Sequence, residues 1–251
     1  MDTLAEVARV VNTCTDCQLH AGRTNAVPGE GPDAAELLFI GEGPGFHEDR
    51  QGRPFVGPAG NFLEDLLQSI GMTRDQVYIA NMVKCRPPDN RDPVPSEIAA
   101  CSKYLDRQIE LLDPLLIVTL GRFSTGRFIP GQSISRLRGR LRRVNGRHIF
   151  PIMHPAAGLR RQEMRAAIEE DFAKIPGLLD VLRIQSEPAS ESAQIREASA
   201  SFEPSPAEQS RSLWDVLAPA EPGIAGSRIE ESPADEVDQP NDPPPGQQRL
   251  F

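Results

Sequence analysis

Four cysteines are the first residues in this chain of 251 that could act together. Cys14 and Cys17 form CTDC, whose two-residue spacer lets two thiolates reach one metal ion or cluster. Cys85 follows an apolar run, and Cys101 lies in a helix-like segment with fifteen residues between the two. Four thiolates suit tetrahedral zinc and an iron–sulfur cluster equally well. The competing reading is a CxxC redox pair beside two buried structural thiols.

A second group of residues surrounds GEGPGFHEDRQGRPFVGPAGNF (41–62), which has six glycines and three prolines directly after ELLFI. A glycine-rich loop after a strand suggests a phosphate cradle, but Glu42, Glu48 and Asp49 have the wrong sign, and no GxxxxGK[ST] pattern is present. Glu42 at a strand end can orient a water or stabilise developing positive charge. Phe55, in RPFVG, can stack on a planar ring or plug the underside of the loop. Asn81 interrupts the apolar run IANMV, and a buried amide must find partners. It can brace a loop or read the hydrogen-bonding edge of a base. His154 opens HPAAGLRR, where an imidazole can polarise a carbonyl or stabilise an anion. Arg160 and Arg161 next to it suit phosphate oxygens.

The elements that must position these residues alternate in type. ELLFIG (36–41), VYIANMV (77–83), LLIVTLG (115–121) and HIFPIM (148–153) read as buried strands. AGNFLEDLLQSIG (59–71), PSEIAACSKYLDRQIELLDP (95–114) and residues 160–179 read as helices, with Ser96 as a candidate N-cap. This alternation predicts an α/β fold in three layers, with a four-stranded parallel sheet between helices. Ligands of such sheets bind beyond the carboxyl ends of the strands, which is where Glu42, Asn81 and His154 fall. KCRPPDNRDPVPSE, after the second strand, is stiffened by four prolines and is expected to form one wall of a groove.

The net charge of −9 is unevenly spread. Residues from Ser186 onward hold 13 acidic residues and four Arg, so the first 185 residues hold 23 of each sign. The stretch SRLRGRLRRVNGRH (135–148), with Arg138 and Arg140, has six Arg and no acid. It suits a phosphate backbone or is a solvated basic hairpin. Residues 186–251 are rich in Pro, Ser, Ala and Glu and are read as a disordered acidic tail behind a domain of residues 1–185. No apolar run is long enough to cross a membrane, and the N-terminus lacks the form of a secretory signal, so a cytoplasmic protein is expected.

Together, CTDC, the 41–60 loop, IANMVKCRPPDNRDP, the Cys85–Cys101 spacing, SISRLRG and HPAA resemble the family 4 uracil-DNA glycosylases, over about residues 1–182. The resemblance implies a 4Fe-4S cluster on Cys14, Cys17, Cys85 and Cys101, with a structural role. It implies base flipping, Phe55 stacked on the extruded uracil, and Asn81 reading its amide edge. Gly41, Gly43 and Glu48 line the pocket, His154 stands near uracil O2, and Glu42 serves the water or the cationic sugar. DNA contacts fall to Arg138, Arg140, Arg160 and Arg161. Other branches of the superfamily carry Asp or Asn at the position of Gly43, and a covalently trapping branch has a His in the Arg-rich loop. GQSISRLRG has none, which favours turnover over a covalent uracil-binding protein. A zinc-bound nucleic-acid scaffold is the alternative of another class.

The terminal QQRLF matches the QxxLF peptides that dock on the bacterial sliding clamp, so Gln247, Leu250 and Phe251 are expected to tether a monomer at nucleoid DNA.

Overall fold

The computed structural model describes residues 1–186. Five strands form one sheet in the order β2-β1-β3-β5-β4: β1 Leu37–Gly41, β2 Tyr78–Asn81, β3 Leu116–Leu120, β4 Arg142–Val144 and β5 Arg147–Ile152. The four strands expected from the sequence are present and mutually parallel. β1 and β3 are buried along their whole length, as their unbroken apolar runs require of strands covered on both faces.

The addition is β4, which pairs antiparallel with β5 through a tight turn at Asn145 and Gly146. Both turn residues have positive φ, 48° and 82°, the backbone that a two-residue hairpin of this twist demands. The Arg-rich stretch therefore ends in a hairpin on the sheet edge.

Helices cover both faces. On one side Phe39, Leu63, Leu67, Val118, Phe150 and Phe172 share a core, in which Phe39 stacks on Phe172 with ring centroids 5.7 Å apart. On the other, Leu38, Ile40, Leu105, Ile109 and Ile117 pack together. The helix Pro58–Ser69 matches its predicted span closely. The helix Pro95–Leu112 is capped differently from the expectation. Val94 is its N-cap, Pro95 takes the first helical position, and Glu97 accepts from Val94 N–H at 2.9 Å, so Ser96 is already inside the helix. The single helix expected over 160–179 is two, Gln162–Phe172 and Ile175–Ser186.

No helix among the described residues is long and apolar enough to cross a membrane. The acidic tail from 187 and its terminal peptide lie outside the described residues.

Candidate active site

β1, β2 and β5 all end at one edge of the sheet, and the loops leaving them enclose a cavity of about 460 Å³. Glu42, Gly43, Glu48, Phe55, Asn81, His154 and Arg160 line it, with Pro87, Asn90, Arg91 and Asp92 from the proline-rich loop. Residues more than a hundred positions apart thus meet at one site, and the proline-rich loop is the expected wall.

Asn81 ends β2, 2 % exposed, and its Oδ1 has no hydrogen-bond partner. Arg138 Nε and Asp171 Oδ2 also lack a well-aligned hydrogen bond, but they face each other as an ion pair at 2.8 Å. Asn81 Oδ1 is therefore the buried side-chain atom left without a counterpart among the described residues. Such an orphan costs about 1–3 kcal/mol unless a ligand completes it. Gly41 allows the arrangement, since a Cβ there would collide with Asn81 Oδ1 and lie 2.7 Å from the Phe55 ring.

Phe55 holds a left-handed backbone, φ 51°, unusual for a residue with a Cβ. Three features keep it there. Arg74 donates to Phe55 C=O at 2.9 Å and also to Pro54 C=O. Gly60 lets the helix Pro58–Ser69 approach, since any Cβ there would strike the Phe55 carbonyl. Glu48 accepts from Val56 and Gly57 N–H at 2.9 and 2.8 Å through Oε1, and from Gly45 N–H at 3.1 Å through Oε2. Glu48 therefore faces the pocket while its oxygens brace the loop. The Phe55 ring stacks on the His154 imidazole, centroids 5.6 Å apart and planes 25° from parallel.

Burial drives the pKa of His154 down to about 4, against a smaller upward pull from Glu48, so the imidazole is neutral at neutral pH. Its Nδ1 accepts from Ala156 N–H at 3.2 Å, which leaves the proton on Nε2. Burial also lifts the Glu42 carboxyl above its ordinary range; Asp92 adds to this and Arg122 opposes it. Gly43 has no room to spare, since a Cβ there would lie 2.8 Å from Val83 Cγ2.

The expected basic residues divide. Arg160 lines the pocket, and Arg161 and Arg140 are exposed. Arg138 is engaged inside the fold: it pairs with Asp171, which is fully buried, and donates to Ala167 C=O. Leu159, which the sequence reading passed over, is 48 % exposed beside Arg160.

All four cysteines are free thiols lining a second, smaller apolar cavity with Val11, Ala100 and Tyr104. Cys14 and Cys17 follow the helix Leu4–Thr13, Cys85 follows β2, and Cys101 sits in the helix Pro95–Leu112. Among the described residues no three His, Cys, Asp or Glu side chains converge as ligands of one metal ion. Arg23 Nη1 donates to Cys85 Sγ at 3.2 Å, and Lys84 N–H to Cys101 Sγ at 3.3 Å. Burial holds the Cys85 thiol above its ordinary range and lifts that of Cys101 to about 11, against the pull of these donors. Four sulfurs around one apolar cavity are nonetheless the donor set that a metal or cluster takes.

Lys84 joins the two cavities and was not anticipated. It is 1 % exposed, and its Nζ donates to Asn81 C=O at 2.9 Å and to Gln108 Oε1 at 2.6 Å.

The profile of the Uracil DNA glycosylase superfamily matches residues 28–175. A type-4 uracil-DNA glycosylase of Sulfurisphaera tokodaii is 49 % identical over 185 residues, 70 % of this chain and 84 % of that one. One of Archaeoglobus fulgidus is 45 % identical over 70 % of this chain and 92 % of its own. One of Thermotoga maritima is 46 % identical over 67 % and 90 %.

Proposed function

This chain belongs to the type-4 branch of the uracil-DNA glycosylase superfamily, and we propose that its pocket receives a uracil turned out of DNA and cleaves the bond from uracil N1 to deoxyribose C1′. The enzyme is a monofunctional glycosylase, a hydrolase of N-glycosyl bonds. The observation that carries the reading of the site is the orphaned Asn81 Oδ1, buried in a pocket walled by an aromatic ring and a neutral imidazole. Oδ1 accepts from uracil N3–H while the amide NH₂ donates to O4. Cytosine presents an amino donor where uracil has O4, so the same amide rejects it.

A base stacked in a duplex cannot reach such a pocket and must be extruded. Exposed Leu159 is placed to wedge into the gap, with Arg140, Arg160 and Arg161 taking phosphates. Phe55 supplies the aromatic wall, and Glu48 holds the loop that carries it. As the bond breaks, its electron pair leaves with uracil and the charge spreads onto O2. His154 Nε2–H donates there, and being neutral it stabilises the anion without protonating it. A water oxygen bonds to C1′ and its proton passes to Glu42, whose carboxylate burial makes a stronger proton acceptor than an exposed one. The water falls to Glu42 because position 43 offers no side chain. The products are free uracil and an abasic site, which places the enzyme at the first step of base excision repair.

Cys14, Cys17, Cys85 and Cys101 would hold the 4Fe-4S cluster, which supplies a structural tether between the N-terminal arm and the β2 loop. Iron and sulfide analysis of the purified protein separates this from a zinc site.

The decisive assay is uracil release from single-stranded and U·G duplex DNA under multiple turnover. Release over many turnovers is expected, with Asn81→Ala nearly inactive; a single uracil released per protein molecule, with the DNA strand left bonded to the protein through C1′, would instead mark a covalent trap. Removing Gln247–Phe251 is expected to leave excision intact and abolish sliding-clamp pull-down.

A further inference from the structure

The rim of the pocket carries an aromatic that this mechanism leaves unused. Phe46 is 47 % exposed and belongs to none of the core clusters. It follows Pro44 and Gly45, which line the pocket, and faces the loop leaving β2, whose Pro87 and Asn90 line the pocket from the other side. Two guanidinium groups flank the ring, Arg50 at 5.7 Å and Arg86 at 5.4 Å from its centroid. Both lie within about 6 Å of the centroid, the range at which a cation is drawn to a ring, and the ring still keeps about half of its surface open to solvent. The His47 ring meets it edge-on at 5.5 Å.

Neither Arg50 nor Arg86 pairs with a carboxylate among the described residues. Arg86 is nonetheless held in place, its Nε donating to Asn90 Oδ1 at 2.7 Å. An exposed ring between two unpaired cations, one of them anchored, does little for the stability of the fold. It is how proteins hold single strands: a base stacks on the aromatic, and the backbone phosphates on either side meet the cations.

We infer that Phe46, with Arg50 and Arg86, forms a second nucleobase subsite, holding a base that neighbours the extruded uracil on a single strand. This rests on the glycosylase reading of the pocket. In a duplex the neighbouring base stays stacked and paired, so the subsite is used chiefly on single-stranded DNA. Stacking is indifferent to base identity, so the subsite adds affinity without adding sequence preference.

The test compares full-length wild type, Phe46→Ala and Phe46→Trp on three substrates: a single-stranded oligonucleotide with one uracil, the same strand with abasic linkers beside the uracil, and a U·G duplex. Phe46→Ala is expected to raise KM on the first by about tenfold with kcat unchanged. It should matter little on the linker strand, where no neighbouring base exists to stack, and little on the duplex. Phe46→Trp should retain wild-type KM, and Arg50→Gln with Arg86→Gln should flatten the salt dependence on the single strand. An unchanged KM for Phe46→Ala on the single strand would overturn the subsite. So would an equal loss on the linker strand, because the ring would then be acting on the fold. Absence of uracil release by the wild-type enzyme on every substrate would instead overturn the glycosylase reading.

Discussion

The pocket and the thiol cavity lie at opposite ends of one five-residue segment, Asn81 to Cys85, and they treat polar atoms in opposite ways. The pocket is open and polar, and it leaves Asn81 Oδ1 without a partner. The thiol cavity is apolar, and protein donors already point at two of its four sulfurs. Unmet hydrogen bonds mark where a transient ligand is to be exchanged; groups supported by the fold mark where something is to stay. The superfamily match sharpens the contrast, since residues 28–175 contain the pocket but begin after Cys14 and Cys17. The matched region holds every residue that lines the pocket, whereas half of the thiol set comes from an arm outside it.

His154→Ala strikes the pocket alone and gives the largest expected effect. Losing one donor to the leaving anion costs about 10²–10³ in kcat. The iron content of the proposed cluster should hold. If iron were lost as well, the two regions would not be separable in the way described.

Lys84→Met strikes the joint. Its ammonium ties Asn81 C=O to Gln108 on the helix that carries Cys101. Removing two charge-assisted bonds within a buried site should cost about 3 kcal/mol. Both KM and iron retention should suffer, and Lys84→Arg should not rescue them, because a larger head has no room there. A variant that weakened one region and spared the other would show that the segment does not couple them.

Much of this arrangement was legible in the sequence, for physical reasons. Strands buried on both faces must be continuously apolar, so β1 and β3 announce themselves, and an Asn inside such a run stands out. Thiol spacing is set by the reach of side chains, so the cysteine set is visible too. Lys84 was hidden because a lysine beside CRPP reads as part of a solvated basic loop, and lysines are seldom fully buried unless paired. Its partner Gln108 lies 24 residues on, a pairing that only the tertiary fold creates. Arg138 misled in the reverse direction: nothing local tells an arginine aimed at DNA from one paired with buried Asp171. The hairpin reading of the Arg-rich stretch pointed to β4, and its local signal is the Asn145-Gly146 pair flanked by residues able to form strands. Ser96 looked like a cap because serines often are, but Pro95 takes the first helical position and sets the helix start two residues earlier than a Ser96 cap would.

Gly60→Ala tests whether pocket geometry depends on backbone approach as well as on side chains. The added methyl strikes the Phe55 carbonyl, so the loop must move. Overpacking of this kind costs about 1–3 kcal/mol. The displaced Phe55 should raise KM for uracil DNA while the iron content stays unchanged. Wild-type kinetics would mean that the left-handed backbone of Phe55 is incidental to binding.

The smallest effect is the pH response, and its sign separates the regions again. The folded pKa of His154 is about 4, below the ordinary value of 6.5, so between these values the unfolded chain binds the proton and the folded chain does not. Stability is therefore complete above 6.5 and falls as the pH drops toward 4. A full unit below the unfolded value, near pH 5.5, the loss is about 1.4 kcal/mol. Denaturant midpoints for wild type and His154→Gln should converge as the pH falls through this window, because the glutamine carries no proton linkage. In the same window kcat should show no inflection near 6.5, since the pocket imidazole stays neutral. An inflection there that disappears in His154→Gln would mean the imidazole titrates normally, and the neutral donor to the leaving uracil would have to be replaced by a cationic one.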